Sequence, residues 1–392
     1  RLKNLMKDDS YPRTSPAGMK FEGLSHVASL AKLMGMMDYP GMRAEQEALR
    51  AKGIYRGIGF ASFIELTNPS PFMYGIGGAR ISAQDGVTVR IDADGSVWAA
   101  SGVTEQGQGS DAITRQIVAQ AVGVPIEKVN VLSGDTLTTP YGGGTWGSRG
   151  AGIGGEAALQ AGLAVKAQAL KIAGSMLQAD PASLDLVMGE IVDTASGQAR
   201  MPLSELTRIV YFRGDTLDPS LPRELMQTRH HLTKEYMFAF TNGIQASWLE
   251  VDVETGLVKL LDHWCVEDCG TVINPMLVDE QVRGGVVQGL GGALYEHCVY
   301  SPEGQLLTGS MADYLVPMAA EMPDIKVGHV ETPTRESVLG AKGAGEAGTA
   351  GAPAAVMNAI NDALAPLGAR VTRMPFTPER VLDGIAQARA GA

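Results

Sequence analysis

The chain has 392 residues, 45% of them apolar and 19% charged, with a net charge of −11. That length supports two lobes with separate cores, and an acidic chain without a basic run repels a phosphate backbone. The most apolar stretch, 154–174, is interrupted by Glu156, Gln160, Lys166, Gln168 and Lys171, whereas a membrane helix needs roughly 20 nearly unbroken apolar residues.

Three cysteines, Cys265, Cys269 and Cys298, argue against a disulfide framework and fit a reducing, cytoplasmic compartment. They are also too few for a self-contained Cys-ligated iron–sulfur cluster. The chain opens without Met and without an apolar signal region, and reads as a piece of something longer.

In chain order, residues 1–53 form an opening segment, helical and irregular, with an amphipathic stretch around 25–37. Alternation predicts a strand over 55–65, then a hairpin over 87–99 turning at Asp94-Gly95. A helix is expected at about 110–123, a strand at 129–132, a glycine-rich loop at 142–155 and a long helix to about 177. Residues 180–235 are uninformative, because Pro202, Pro219 and Pro222 break any long element.

A similar theme returns with a second hairpin over 248–266, a loop at 267–275 and a helix at about 278–296. A final loop, 336–348, runs into a helix over 349–364. The expected fold is α+β. Two related lobes of mixed sheets and helices, 54–235 and 236–392, would carry glycine-rich loops lining a cofactor cleft, the second lobe carrying the catalytic acid.

Glycine accounts for 49 residues, about twice its usual share. Three G-x-G-x-x-G patterns, at 142–147, 150–155 and 343–348, are close to chance in such a sequence, and none follows a convincing parallel strand. More telling are four glycine loops that each carry polar side chains: 105–109 (Glu-Gln-Gly-Gln-Gly), 142–149 ending Gly-Ser-Arg, 268–275 (Asp-Cys-Gly-Thr-Val-Ile-Asn-Pro) and 340–348 (Gly-Ala-Lys-Gly-Ala-Gly-Glu-Ala-Gly). Backbone N–H groups in such loops cradle phosphates and carbonyls, and Gln, Asn, Ser and Arg add orienting hydrogen bonds. Any one of them alone is equally well a simple turn.

Taken together with Gly-Asp-Thr at 134–136, Leu-Glu-Val-Asp at 249–252, Glu-Thr-Gly at 254–256, and Gln281 followed by Gly284-Gly285 and Gln288-Gly289, the loops resemble the molybdopterin-binding subunit of the xanthine dehydrogenase and aerobic carbon monoxide dehydrogenase family. The match in order and spacing runs over about 55–385 and corresponds to the later part of that subunit. The resemblance implies a hydroxylase that inserts a water-derived oxygen into an electron-poor C–H of an N-heterocycle or aldehyde. It implies that Gln106, Gly107, Gln108 and Gln281 hold molybdopterin near molybdenum. Gly147, Ser148 and Arg149, with Cys269, Thr271 and Asn274, would contact a diphosphate and nucleotide, in the cytosine dinucleotide form.

Lys342 either pairs with the cofactor or is a solvated lysine, and Cys269 is either a contact or a small buried hydrophobe. Glu346 is the implied general base, its alternative being a capping acid for the last helix. In that family molybdenum is held by pterin sulfurs, so no side-chain metal ligands are expected; the six histidines show no ligand spacing. Partner chains are implied: one supplying the N-terminal half of the subunit, one with [2Fe–2S] clusters and one with FAD. Residues 67–74 either line a substrate pocket or pack. A non-catalytic scaffold and a nicotinamide-dependent dehydrogenase stay open as alternatives.

Overall fold

The computed structural model describes residues 2–391. The described residues divide into two compact units that do not follow chain order: unit 1 is 2–66, 240–332 and 344–391, and unit 2 is 67–239 and 333–343.

Unit 1 opens with a short ribbon of β1 (Arg13–Thr14) and β2 (Lys20–Phe21), then α1 (His26–Met36), α2 (Tyr39–Arg50) and the long strand β3 (Tyr55–Thr67). Asp38 caps α2 by accepting from the Gly41 N–H, and Pro40 follows in the first turn, a preorganised helix start. The later elements of unit 1 are β11 (Ala239–Val251), β12 (Val258–Asp268), α6 (Pro275–Leu294), β13 (Ile325–His329), α7 (Ala347–Leu364) and α8 (Pro378–Ala390). Its sheet has the order β13-β12-β11-β3. β11 and β12 form an antiparallel hairpin, while β12 and β13 are parallel.

Unit 2 holds β4 (Asp85–Ile91), β5 (Val97–Ser101), α3 (Ser110–Val122), β6 (Val129–Ser133), α4 (Glu156–Leu177), a meander of β7 (Leu184–Val187), β8 (Glu190–Asp193) and β9 (Ala199–Pro202), α5 (Leu203–Phe212) and β10 (Met226–His231). Its larger sheet has the order β10-β4-β5-β6. Here too a hairpin, β4-β5, is antiparallel and the next strand, β6, joins in parallel.

The two units thus repeat one topology: hairpin, loop, helix, parallel strand, loop, helix. A parallel neighbour requires a crossover, and a helix supplies it. The expectation of two related α+β lobes holds, and all four glycine loops fall at the same two places in the repeat. One loop of each repeat follows the hairpin (105–109 and 268–275), and the other follows the parallel strand (142–149 and 340–348), the last being shared between unit 2 (340–343) and unit 1 (344–348).

In unit 2, α4 lies on β4 and β10 with the buried stripe Ala157, Ala161, Val165, Ala169 and Ile172, spaced by about one helical turn. In unit 1, α6 and α7 pack face to face around Val282, Val286, Leu290, Val356 and Ile360. Glycine lets these backbones touch: the Gly285 and Gly348 backbones are so close that a Cβ on Gly348 would lie 2.3 Å from the Val282 carbonyl oxygen. Among the described residues, no helix is long and apolar enough to cross a membrane.

Candidate active site

Unit 2 builds its first loop around Glu105. This carboxylate accepts from the N–H groups of Gln106 (3.1 Å), Gly107 (2.7 Å) and Gly109 (3.0 Å) through Oε1, and of Asp111 (2.9 Å) through Oε2. Partial burial pushes this carboxyl up, but the four N–H groups outweigh it and hold it below the usual glutamate range. Gly107 and Gly109 have φ of +97° and +88°, a turn that side-chain-bearing residues rarely adopt. Gln106 stays exposed, while Gln108 is turned inward, its amide donating to the Thr104 carbonyl (3.0 Å) and Ser110 Oγ (2.7 Å).

The second loop of unit 2 is stapled to the first. Thr145 Oγ1 accepts from the Thr104 N–H (2.9 Å) and donates to the Thr104 carbonyl (2.8 Å). Gly147 and Ser148 both take left-handed φ, +55° and +48°, unusual for a serine and a sign of a tightly determined turn. Arg149 does not reach the surface. Fully buried, it pairs with the equally buried Asp85 (3.3 Å), donates to the Gly144 carbonyl (3.2 Å) and lies 5.4 Å from the Trp146 ring centre. Burial raises the Asp85 carboxyl against the lowering effect of Arg149, and lowers the Arg149 guanidinium in turn. Arg149 therefore braces the loop that presents Ser148.

The segment 341–343 lies against Ser148. A Cβ on Gly343 would sit 1.8 Å from the Ser148 carbonyl oxygen, and Asn68 Nδ2 donates to the Ala341 carbonyl (3.1 Å). Lys342 is only 4% exposed, which removes the solvated-lysine alternative.

In unit 1 the first loop begins at the buried Asp268, whose Oδ1 accepts from the N–H groups of Gly270 and Thr332 (3.0 Å each) and whose Oδ2 accepts from the Ser25 hydroxyl (2.5 Å). Cys269 is 4% exposed, Thr271 is half-buried, and Asn274 caps α6 by accepting from the Leu277 N–H (3.2 Å). Beneath this loop His329 sits between Glu267 and Asp279, one ring nitrogen 2.5 Å from each carboxylate.

Glu346 is exposed and occupies the N-cap position of α7. Its side chain makes no capping hydrogen bond, so the capping-acid reading fails. Side chains from three elements fix its backbone. Gln281 Nε2 on α6 donates to the Gly345 carbonyl (2.9 Å), Glu65 Oε1 on β3 accepts from the Glu346 N–H (3.2 Å), and Gln245 Nε2 on β11 donates to the carbonyls of Ala347 (3.0 Å) and Gly348 (2.8 Å). Gln245 is itself held by His263, whose burial drops its pKa to about 3 and keeps the imidazole neutral.

Within unit 1 the structure thus brings together Gln281 and Glu346. Within unit 2 it joins the 105–109 loop to 142–149, and Ser148 to 341–343. Cys269, Thr271 and Asn274 sit on the other loop of unit 1, whose bonds run to Ser25, Thr332 and Glu331. Sequence reasoning missed Glu65, Gln245 and Asp85, each a support for a loop it had found, and placed Glu105 in its loop without giving it this supporting role. Glu65 left no signal, because the aliphatic residues beside it, Ile64 and Leu66, occupy the opposite phase of the strand.

Each unit thus carries loops rich in neutral amide and hydroxyl donors at the starts of long helices, and in unit 1 the exposed Glu346 carboxylate is held on a rigid turn. A sequence model of the molybdopterin cofactor-binding domain matches residues 32–323, and the chain belongs to that family, found in the large subunits of molybdenum hydroxylases.

Its relatives include the nicotine 6-hydroxylase large subunit of Paenarthrobacter nicotinovorans, 36% identical over 97% of this chain and 46% of that protein. Quinoline 2-oxidoreductase from Pseudomonas putida 86 superimposes with a TM-score of 0.89 at 33% identity, covering 97% of this chain and 48% of its counterpart. Carbon monoxide dehydrogenase from Oligotropha carboxidovorans gives 0.90 at 29% identity, over 100% of this chain and 49% of that one. The chain therefore spans about half the length of the relatives it matches. Neither unit's sheet is a doubly wound parallel sheet, and the nicotinamide-dehydrogenase alternative falls with the family assignment.

Proposed function

We propose that this chain is the cofactor-binding, C-terminal part of a molybdenum hydroxylase large subunit, with Glu346 as its general base. The observation that carries the proposal is the Glu346 turn, an exposed carboxylate whose side chain does not cap α7 and whose backbone is fixed by Gln281, Glu65 and Gln245. A base works when its atom is held in position before the substrate arrives.

The residues present fit a pterin with a phosphate tail. Such a group consists of ring nitrogens, carbonyls and phosphate oxygens, and the loops offer amides, hydroxyls and helix N-termini to match. Arg149 adds a buried Nε with no hydrogen-bond acceptor among the described residues. Gln106, Gly107, Gln108 and Gln281 would hold the pterin. Gly147 and Ser148, with Cys269, Thr271 and Asn274, would hold the diphosphate and cytosine nucleotide, while Lys342 and Arg149 would set the shape and charge of their loops.

When bound, the cofactor supplies two-electron redox chemistry and the water-derived oxygen that enters the substrate. The Glu346 carboxylate would accept the proton that the attacking water gives up. The substrate class is an N-heterocycle or aldehyde; nicotine and quinoline, in the names of two relatives, are both N-heterocycles, which supports the former. Electrons would pass to partner chains carrying [2Fe–2S] clusters and FAD, and a further chain or segment would supply the remaining half of the subunit. Three free cysteines support a reducing, cytoplasmic setting.

Glu346→Gln tests the reading in the assembled, molybdenum-loaded enzyme. Molybdenum and released cytidine nucleotide should be unchanged, and kcat should fall by about 10²- to 10⁴-fold. Near-normal turnover sinks the assignment.

A further inference from the structure

Along the second half of β3 burial alternates strictly. Ala61, Phe63, Glu65 and Thr67 face inward, while Ser62, Ile64 and Leu66 face outward. The strand therefore exposes Ile64 and Leu66, 45% and 50% accessible, and buries Glu65 at 6%. Placing a carboxylate in the interior while two aliphatic side chains face water works against the usual pattern for a half-buried strand. The inward carboxylate meets the start of α7, where Oε1 accepts the Glu346 N–H at 3.2 Å. That N–H is one of the helix-end donors without an intrahelical acceptor, and the positive end of the helix dipole favours an anion there.

We infer that Glu65 is a positioning residue for the reaction, acting through Glu346. Glu65 supplies the hydrogen-bond acceptor at the α7 terminus, a role the Glu346 side chain does not take, and so determines where the Glu346 carboxylate is displayed. This inference rests on Glu346 being the base, but the hold of Glu65 on the turn is measurable without any turnover.

Two variants separate its parts. Glu65→Gln keeps an oxygen acceptor in place and should retain most of kcat. Glu65→Leu keeps the volume, loses the acceptor, and should lower kcat by about 10- to 100-fold with KM and molybdenum content close to wild type. In a Glu346→Gln background, Glu65→Leu should cause no further loss, because the residue through which it acts is gone. Hydrogen exchange on the same assembled complex gives the independent readout: the 343–350 segment should exchange faster in Glu65→Leu than in wild type, while β11 and β12 stay unchanged.

Unchanged exchange at 343–350 overturns the hold itself. Losses that multiply with those of Glu346→Gln, or that follow falling molybdenum content, overturn the positioning role and leave Glu65 purely structural. If Glu346→Gln alone is fully active, the proposed function fails, and the exchange data still decide whether Glu65 fixes the turn.

Discussion

Replacing Gly348 by Ala places one methyl group where α6 and α7 meet, two residues from Glu346. The new Cβ would lie 2.3 Å from the Val282 carbonyl oxygen and 2.6 Å from the Val286 nitrogen, whereas ordinary contact begins at 3.4 Å. Both obstacles are backbone, so no rotamer relieves them, and the start of α7 must retreat by about 1 Å. Overpacking of this kind costs about 1–3 kcal/mol of stability. A shift of about 1 Å at a catalytic group lowers the rate by roughly 10²-fold, or about 2.7 kcal/mol of activation free energy. Gly284→Ala is the matched control, since this α6 glycine has nothing within 4 Å of its Cβ position, and alanine at an open helical site gains about 0.8–1 kcal/mol over glycine. Both variants should be assayed as the molybdenum-loaded complex for kcat, KM and thermal inactivation. Gly284→Ala should match wild type or exceed its stability, whereas Gly348→Ala should lose kcat with molybdenum retained. Equal behaviour of the two would refute the claim that the helix contact sets the geometry of the base.

Two further outcomes follow from the buried charges. Asp85→Asn leaves the fully buried Arg149 without its counter-charge and should destabilise unit 2 by about 3–5 kcal/mol, whereas the double replacement Asp85→Leu with Arg149→Met should recover much of that loss; limited proteolysis between 142 and 155 distinguishes them, and equal resistance of all three proteins would count against the brace. His329 is pushed down by burial, but the adjoining Glu267 and Asp279 carboxylates outweigh this and raise it above the ordinary 6.5. Its stabilisation is then complete below pH 6.5 and lost as pH rises through the elevated value. The difference in thermal midpoint between wild type and His329→Gln should accordingly be largest near pH 6 and shrink toward pH 9, and a constant difference would show that the charge is not involved.

The sequence made the repeated hairpins legible because each sheet keeps a period-two pattern around an identifiable turn, at Asp94-Gly95 and Thr255-Gly256. It hid the first half of β11, since Thr241, Asn242, Gln245 and Ser247 are polar yet fully buried, and burial of polar groups is decided by partners from other elements. β13 and α8 were missed for a similar reason, their short or weakly amphipathic patterns being stabilised by neighbours. The four glycine loops were visible as composition. Which of their residues face outward was not: Arg149 and Lys342 are enclosed, and Glu346, for which a capping role was the alternative, is exposed without a capping hydrogen bond.

By itself the sequence determined the family, the α+β class and the short list of loops, because residue type and local spacing carry turn chemistry and helix starts. The tertiary structure decided how the chain is threaded between its two units, and which side chains hold those loops in place. Those decisions rest on contacts between residues far apart in the chain, such as Glu65 with Glu346 or Asp85 with Arg149, and local pattern carries no information about a partner that folding alone brings near.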